Sequence, residues 1–503
     1  MADDAMWRHL FKLRANSELT LQAQVREVIA QAVLNCHLPP GTLLPPSRRL
    51  AQMLGISRNT VTLAYHALIA EKYLVSRPRA GFIVNPGAPT GASVAPAAAS
   101  RSYGAPPDWS RRLGAKASRF PWLRKPQDWQ RYPFPFVYGQ FDPSLFPVAE
   151  WREVNQMALR TMSVREWAGD RVDADDATLI EQIQQRLLPR RGIWASPDEI
   201  LVTVGAQQAA YLAAATLMGS STAVGVEQPG YPDIWNICSL FGARLIGVPI
   251  DAAGLDAKGL DASARLSACD YVYVMPSHQN PTTVTMTLER RERLLRAAAD
   301  RDFVIIEDDY ESELTFDGEA TPAIKSLDRD GRVIYIGSLS KTLAPGLRVG
   351  FLVGPSELIA EARAMRRLML RHPPTNNQRA VALFLSLGHH DALIRKLVQA
   401  YRVRAQVLTS ALGQHLPQVT FAPPRGGSAV WASAPAGTNM TLATRHAAKR
   451  GVLIDPGDVF FRAGRPPMQH FRLGYSSIAS QRIDEGIRLL AQVVGELSQR
   501  VDS

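Results

Sequence analysis

Seven short apolar runs recur between residues 200 and 353, and they constrain the fold of this 503-residue chain more than any other feature. They are Ile200-Leu-Val-Thr-Val204, Thr222-Ala-Val-Gly-Val226, Arg244-Leu-Ile-Gly-Val248, Tyr271-Val-Tyr-Val-Met275, Phe303-Val-Ile-Ile-Glu307, Val333-Ile-Tyr-Ile336 and Val349-Gly-Phe-Leu-Val353. Strands that are apolar on both faces, without alternation, must be covered on both faces, which is the situation of a mostly parallel sheet between layers of helices. Stretches with helical period lie between many of the runs, such as Gln207 to Leu217 and Leu288 to Asp300. The expected class is α/β with a mostly parallel sheet. From about Leu383, long helical patterns lead into apolar runs at Gly427-Ser-Ala-Val-Trp431 and Met468-Gln-His-Phe-Arg472, which implies a smaller C-terminal subdomain.

Charge is placed unevenly. Residues 1–120 carry 15 Lys and Arg against 6 Asp and Glu, so they hold +9 of the chain's net +11. A basic module on a near-neutral body points to a polyanion, and DNA fits better than a membrane because no basic amphipathic anchor accompanies it. A solvated basic face is the plain alternative, so the local pattern has to decide. Residues 86–110 are rich in Pro, Gly, Ala and Ser and have no period that would bury a face, as a tether does. The expected organisation is a DNA-binding domain over 1–85, a flexible linker over 86–130 and a second domain over 131–503. No apolar stretch reaches membrane-spanning length and the acidic start leads into no apolar leader, so a cytoplasmic location is expected. Cys36, Cys238 and Cys269 stand too far apart for metal-ligand spacing, which predicts idle thiols in a reducing compartment and no metal site.

Within the basic module, Leu19 to Leu34 places Leu21, Val25, Ile29, Ala32 and Val33 on one helical face, and Pro39-Pro-Gly41 ends the pattern. Ser47 to Leu54 reads as a short second helix capped by Ser47 and stopped by Gly55, and Ser57 caps a third that runs to about Ala70. Tyr73 to Val84 reads as two short strands around a turn, the form of a wing. A recognition helix needs short polar and basic side chains at its N-terminal end, where base edges and phosphates come within reach. Ser57-Arg-Asn-Thr60 supplies them, while Arg48, Arg49, Arg77 and Arg79 are placed to hold phosphates or enter a groove.

The second domain concentrates chemistry at the carboxyl ends of its strands, where open α/β sheets bind ligands. Val304-Ile-Ile-Glu-Asp-Asp-Tyr310 ends one strand in two carboxylates and a tyrosine, and Lys341 sits downstream in Ile336-Gly-Ser-Leu-Ser-Lys-Thr-Leu-Ala-Pro-Gly-Leu-Arg348. There is no Gly-x4-Gly-Lys-Ser/Thr spacing, so this lysine is not that of a nucleotide-binding P-loop. The set matches the needs of pyridoxal 5'-phosphate: an amine for its aldehyde, an anion for its ring nitrogen, and cations or N–H groups for its phosphate. Lys341 is the amine and Asp308 the anion; Ser338, Ser340 and Arg348 offer phosphate donors, as do the N–H groups where Gly205-Ala-Gln207 opens a helix. Tyr231 is placed to stack on an aromatic ring, and Asn280 and Tyr310 to reach a phenolate oxygen, although packing is the default for a single tyrosine.

Two resemblances follow from these strings. The stretches Leu38-Pro-Pro-Gly-Thr-Leu-Leu-Pro-Pro-Ser-Arg-Arg-Leu-Ala51, Leu54-Gly-Ile-Ser-Arg-Asn-Thr-Val61 and Gly81-Phe-Ile-Val84 resemble the winged helix-turn-helix of the GntR family. That resemblance implies an α+β head in which Arg48, Arg58, Asn59 and Thr60 contact DNA and Gly81 lets the wing tip approach the minor groove. Residues 131 to 500 resemble fold-type I pyridoxal phosphate enzymes of the aspartate aminotransferase family, so that the whole chain resembles a MocR/GabR-type regulator. The resemblance implies Lys341 as the Schiff-base lysine, Asp308 at the pyridine nitrogen, Asn280 and Tyr310 near the phenolate, and Tyr231 on the ring. It implies Ala206, Gln207, Ser338 and Arg348 around the phosphate and Arg472 as the clamp for the carboxylate of an amino-acid-like ligand. A homodimer whose two heads read paired half-sites of an operator is implied as well. The chain departs from its relatives at Trp167, where many carry a tyrosine that reaches the neighbouring subunit's phosphate, and at Asp233, where some carry a cation. The expected function is a transcriptional regulator that senses an amine, an amino acid or the vitamin itself through exchange of the Schiff base at Lys341, with at most weak transaminase turnover. The competing reading is a working aminotransferase with an accessory N-terminal domain.

Overall fold

The computed structural model describes Trp7, Leu10, Phe11, Leu13 and Ser17, then residues 19–77, 81–88, 107–114, 117–255, 268–316, 321–462 and 464–501. Arg79 and residues 89–106 of the expected linker lie outside the described residues. The chain forms two compact units, Met1–Arg112 and Leu113–Ser503, the second beginning inside the stretch expected as linker.

In the first unit, α1 (Leu21–Leu34) is capped by Thr20, whose hydroxyl accepts from Ala23 N. Helix α2 (Ser47–Leu54) ends at Gly55, whose left-handed φ of 66° lets the chain turn within two residues into α3 (Arg58–Ala70). Ser47 does not cap α2 as expected. Pro46 occupies the cap position in extended conformation without a side-chain bond, and Ser47 is already the first helical residue. Ser57 does cap α3, its Oγ accepting from Thr60 N at 3.1 Å. Val25, Ile29, Val33, Leu50, Val61, Tyr65 and Leu68 close the core between the three helices. Strands β1 (Leu74–Arg77) and β2 (Gly81–Val84) pair antiparallel, Leu74 opposite Val84 and Arg77 opposite Gly81.

All seven apolar runs of the second unit become strands of one eight-stranded sheet. In chain order the elements are β3 (Ile200–Thr203), α4 (Ala206–Leu217), β4 (Ala223–Gln228), α5 (Pro232–Leu240), β5 (Arg244–Asp251), β6 (Gly254–Leu255), β7 (Tyr271–Val274), α6 (Leu288–Arg301), β8 (Val304–Asp309), β9 (Val333–Ser338) and β10 (Gly350–Val353). Their order across the sheet is β3-β10-β9-β8-β7-β4-β5-β6. Pairs from β9 to β5 are parallel, while β10 runs antiparallel to both its neighbours and β6 to β5. The winding reverses at β4 and β7: the chain leaves β4 for β5 on one side, then crosses back to β7 on the other. That reversal opens a crevice at the carboxyl ends of the strands. The C-terminal part adds α7 (Ser356–Leu370), α8 (Thr375–Ser386) and α9 (His389–His415), then a four-stranded antiparallel sheet. Its strands are β11 (Thr420–Phe421), β12 (Ala429–Ser433), β13 (Asp455–Pro456) and β14 (His470–Gly474). The helix α10 (Met440–Lys449) and the terminal α11 (Ser480–Val501) complete it.

Candidate functional site

The crevice contains a cavity of about 230 Å³ whose wall includes ten of the residues singled out in the sequence, Ser340 among them. Ala206 and Gln207 enter it from the start of α4, Tyr231 from the turn after β4, and Asn280 from the loop after β7. Asp308 lies at the end of β8, with Tyr310 just beyond, Ser338 at the end of β9, and Lys341 and Arg348 in the loop before β10. Three of these ends are held in line by strand register, because Ile336 pairs with Asp308 and Ser338 with Gly350. Gly350 pairs in turn with Thr203, two residues before Gly205. Glycine is needed there, since a Cβ on Gly350 would stand 2.7 Å from the Gly205 carbonyl carbon and 2.8 Å from Ala206 N.

The Lys341 amine is enclosed, 4.4 Å from the centroid of the Tyr138 ring and 5.9 Å from that of Tyr310. Burial pushes its pKa down, and the Glu311 carboxylate opposes the shift. Asp308 is also buried. Tyr273 donates to its Oδ2 at 2.5 Å, and its Oδ1 has no hydrogen-bond partner among the described residues. Burial pushes the Asp308 carboxyl up to about 7, with Tyr273 and Lys341 pulling against it and Asp309 adding to it. Arg191, itself buried, pairs with that neighbouring Asp309 at 2.6 Å and fixes the strand end from beneath. Tyr231 OH donates to Asp233 Oδ2 at 2.9 Å, and Tyr310 OH to the His278 carbonyl at 2.6 Å. Arg348, at a left-handed φ of 51°, donates to the Val204 carbonyl at 2.9 Å, and a Cβ on Gly205 would lie 2.6 Å from its Nη2.

Arg472 lies in the neighbouring chamber, buried, with its guanidinium 4.0 Å from the Tyr138 ring centroid. Its Nε and Nη2 donate to Asp455 Oδ2 at 3.2 and 2.9 Å, and its Nη1 donates to Asn280 Oδ1 at 2.6 Å. Trp167 is half-buried and bonds to its own unit: its indole N–H donates to the Ala158 carbonyl, and its own carbonyl accepts from Thr375. Sequence reading missed Tyr138, Gly139, Tyr273, Lys125 and Asp455. Only Tyr273 left a trace, since a tyrosine inside a doubly covered strand must find a partner for its hydroxyl. Of the other four, Tyr138 and Gly139 share one turn, Lys125 lies in an irregular segment and Asp455 in a short strand, and nothing local marks them.

On the first unit, Arg48, Arg58, Asn59 and Gly81 are exposed and Thr60 is half-buried. Arg58, Asn59 and Thr60 form the first turn of α3. Gly81 has φ +88° with open space around a would-be Cβ, so its backbone conformation, not crowding, calls for glycine.

Comparison with known proteins agrees with both halves. Residues 144–490 match the family model described as aminotransferase class I and II, and residues 21–84 match that of the bacterial regulatory proteins, gntR family. The HTH-type transcriptional regulator TauR of Rhodobacter capsulatus is 41% identical over 96% of this chain and 98% of its own length. The probable rhizopine catabolism regulatory protein MocR of Rhizobium meliloti is 32% identical over 95% of this chain and 94% of its own. Among solved structures, the α-aminoadipate aminotransferase of Thermus thermophilus, complexed with N-(5'-phosphopyridoxyl)-L-leucine, superposes with a TM-score of 0.70 at 29% identity. That likeness covers 78% of this chain and 99% of the enzyme.

Proposed function

We propose, for a chain that belongs to the GntR-headed transcriptional regulators with an aminotransferase class I and II body, that the body holds pyridoxal phosphate and uses it to sense an amine. The observation that carries the reading is Asp308. A buried carboxylate oxygen without a partner, facing a cavity that also contains a buried lysine amine, is costly unless a ligand cation satisfies it. A protonated ring nitrogen against Oδ1 would restore the carboxylate that burial disfavours.

The other residues fit the same group. Lys341 would hold it through the amine, Tyr231 would cover the ring, and Asn280 and Tyr310 would face its phenolate. The N–H groups of Ala206 and Gln207 at the start of α4, with Ser338 and Arg348, would hold the phosphate. When bound, pyridoxal phosphate supplies an aldehyde that condenses with primary amines. The chain's part is to keep Lys341 out of water, where its lowered pKa leaves it nucleophilic and replaceable by an incoming amine. Arg472 would meet the carboxylate of an amino-acid-like ligand.

In the head, Arg48, Arg58, Asn59 and Thr60 would dock α3 in a major groove, with Gly81 at the wing tip. The protein would act in the cytoplasm as a homodimer on paired half-sites of double-stranded DNA. Leu159, Met162, Trp194 and Leu368 leave 67, 68, 81 and 82% of their surface exposed on the body, and a second copy would cover them. Among the described residues no helix is long and apolar enough to cross a membrane. The test is spectroscopic: purified protein should carry the absorbance band of a lysine-bound pyridoxal group, fixed by borohydride and missing in Lys341→Ala. A wild-type protein loaded with the vitamin that shows no such band would end the reading.

A further inference from the structure

The loop that carries Lys341 is tied to a helix outside the cavity. Thr342, the next residue, is 1% exposed, and its Oγ1 lies 3.2 Å from Nε2 of His390 in the first turn of α9. His390 is also 1% exposed, and the same Nε2 stands 3.6 Å from Oε2 of Glu313, which follows Tyr310 on the turn after β8. Its Nδ1 is buried with no hydrogen-bond partner among the described residues. These contacts decide the tautomer. The Thr342 hydroxyl donates to the Leu339 carbonyl at 3.4 Å, so its oxygen is left to accept, and a proton on Nε2 serves both that oxygen and the Glu313 carboxylate. A proton on Nδ1 would instead leave a buried N–H unpaired and set the Nε2 lone pair against the carboxylate. Glu313 is held in turn: its Oε1 lies 3.5 Å from Arg190 Nη1, and Arg190 pairs with Asp391, next to His390. Arg186 Nη1 stands 3.9 Å from the same Asp391.

The groups assigned to the phosphate have anchors of their own. Ser338 pairs with Gly350 in the sheet, Leu339 N donates to the Val349 carbonyl at 3.0 Å, and Arg348 donates to the Val204 carbonyl. Lys341 lies between them, where the loop has left the sheet. We propose that His390 is a positioning residue for Lys341: its Nε2–H fixes the loop through Thr342 and, through Glu313, ties it to the turn that carries Tyr310. The inference rests on the pyridoxal phosphate reading and adds to it two residues, His390 and Thr342, that line neither the cavity nor the chamber beside it. A lysine that condenses with an aldehyde has to be placed first, and on an untethered loop it loses more conformational freedom when the bond forms. Loss of the tether therefore weakens the covalent hold on the vitamin and spares a form of the vitamin that has no aldehyde.

The test titrates cofactor-free full-length protein with pyridoxal phosphate and, separately, with pyridoxamine phosphate, which carries an amine in place of the aldehyde and makes no bond to Lys341. Wild type, His390→Leu, Thr342→Val and the double variant are compared, with melting curves checking the fold. Thr342→Val removes one hydroxyl and keeps the side chain's shape, so it carries the test if His390→Leu does not fold. Expected is about five- to tenfold weaker pyridoxal phosphate binding in each single variant, pyridoxamine phosphate binding within about twofold of wild type, and no further loss in the double variant. Equal loss of both cofactors would overturn the proposal, because His390 would then support the fold and not the lysine. Unchanged pyridoxal phosphate binding in Thr342→Val, or losses that add in the double variant, would overturn it as well. A wild type that binds neither cofactor would instead sink the reading beneath it.

Discussion

Single buried charges set the behaviour of this site. Arg472 and Asp455 are 3% and 4% exposed and bonded to each other, so removing the acid strands a guanidinium in low dielectric. Asp455→Ala should cost about 3–5 kcal/mol by chemical denaturation, while a loss under 1 kcal/mol would mean that water reaches Arg472. Glu227 is buried behind the cavity. Its Oε2 accepts from Met275 N and Gln279 Nε2, its Oε1 has no partner among the described residues, and burial pushes its pKa from 4.5 to about 8. Between those values the folded chain binds the proton more tightly than the unfolded chain, so wild-type stability falls as pH rises towards 8. Glu227→Gln has no charge to bury. Its melting temperature relative to wild type should therefore rise with pH up to about 8 and then level; a difference that stays flat with pH would refute the assignment.

At the scale of elements, the site depends on a strand passing close to a helix start. Strand β10 brings Gly350 against the Gly205–Ala206 turn, and a methyl group there would fall within 3 Å of backbone on the neighbouring segment. Backbone cannot swing aside as a side-chain tip can, so Gly350→Ala must part β10 from β3 or push the start of α4 outward. The expected result is about 1–3 kcal/mol lost in stability and weakened retention of pyridoxal phosphate on dialysis. Retention equal to wild type would show that α4 does not hold the phosphate. The elements themselves were legible: all seven apolar runs are strands, and Gly55 and Ser57 bound their helices as expected. Ser47 was misjudged as a cap because the pattern of residue types does not register that Pro46 already sets the extended entry to α2.

For the whole molecule, the two units separate by variant. Arg58→Ala should weaken DNA binding and flatten its dependence on salt by about one phosphate contact, or relax sequence preference if Arg58 reads a base, with the cofactor band unchanged. Lys341→Ala should bind the operator and lose the response to added amine, seen as an amine-independent shift in a mobility assay. An amine response that persists in Lys341→Ala would place the sensor elsewhere in the chain.

The sequence alone determined the class of fold and the order of its elements, and it marked the lysine, the acids and the helix start proposed for the cofactor and for DNA. Period and capping act over a few residues, and the ordered site strings are themselves local. The tertiary structure decided which groups share one water-poor space. Lys125, Tyr138, Tyr273 and Asp455 come from four separate segments; the first three line the Lys341 cavity or the chamber beside it, and Asp455 holds Arg472 in that chamber's wall, an arrangement that follows from the reversal of winding at β4 and β7 and from the pairing of β13 with β14. Electrostatic strength depends on that shared burial, which no local pattern encodes.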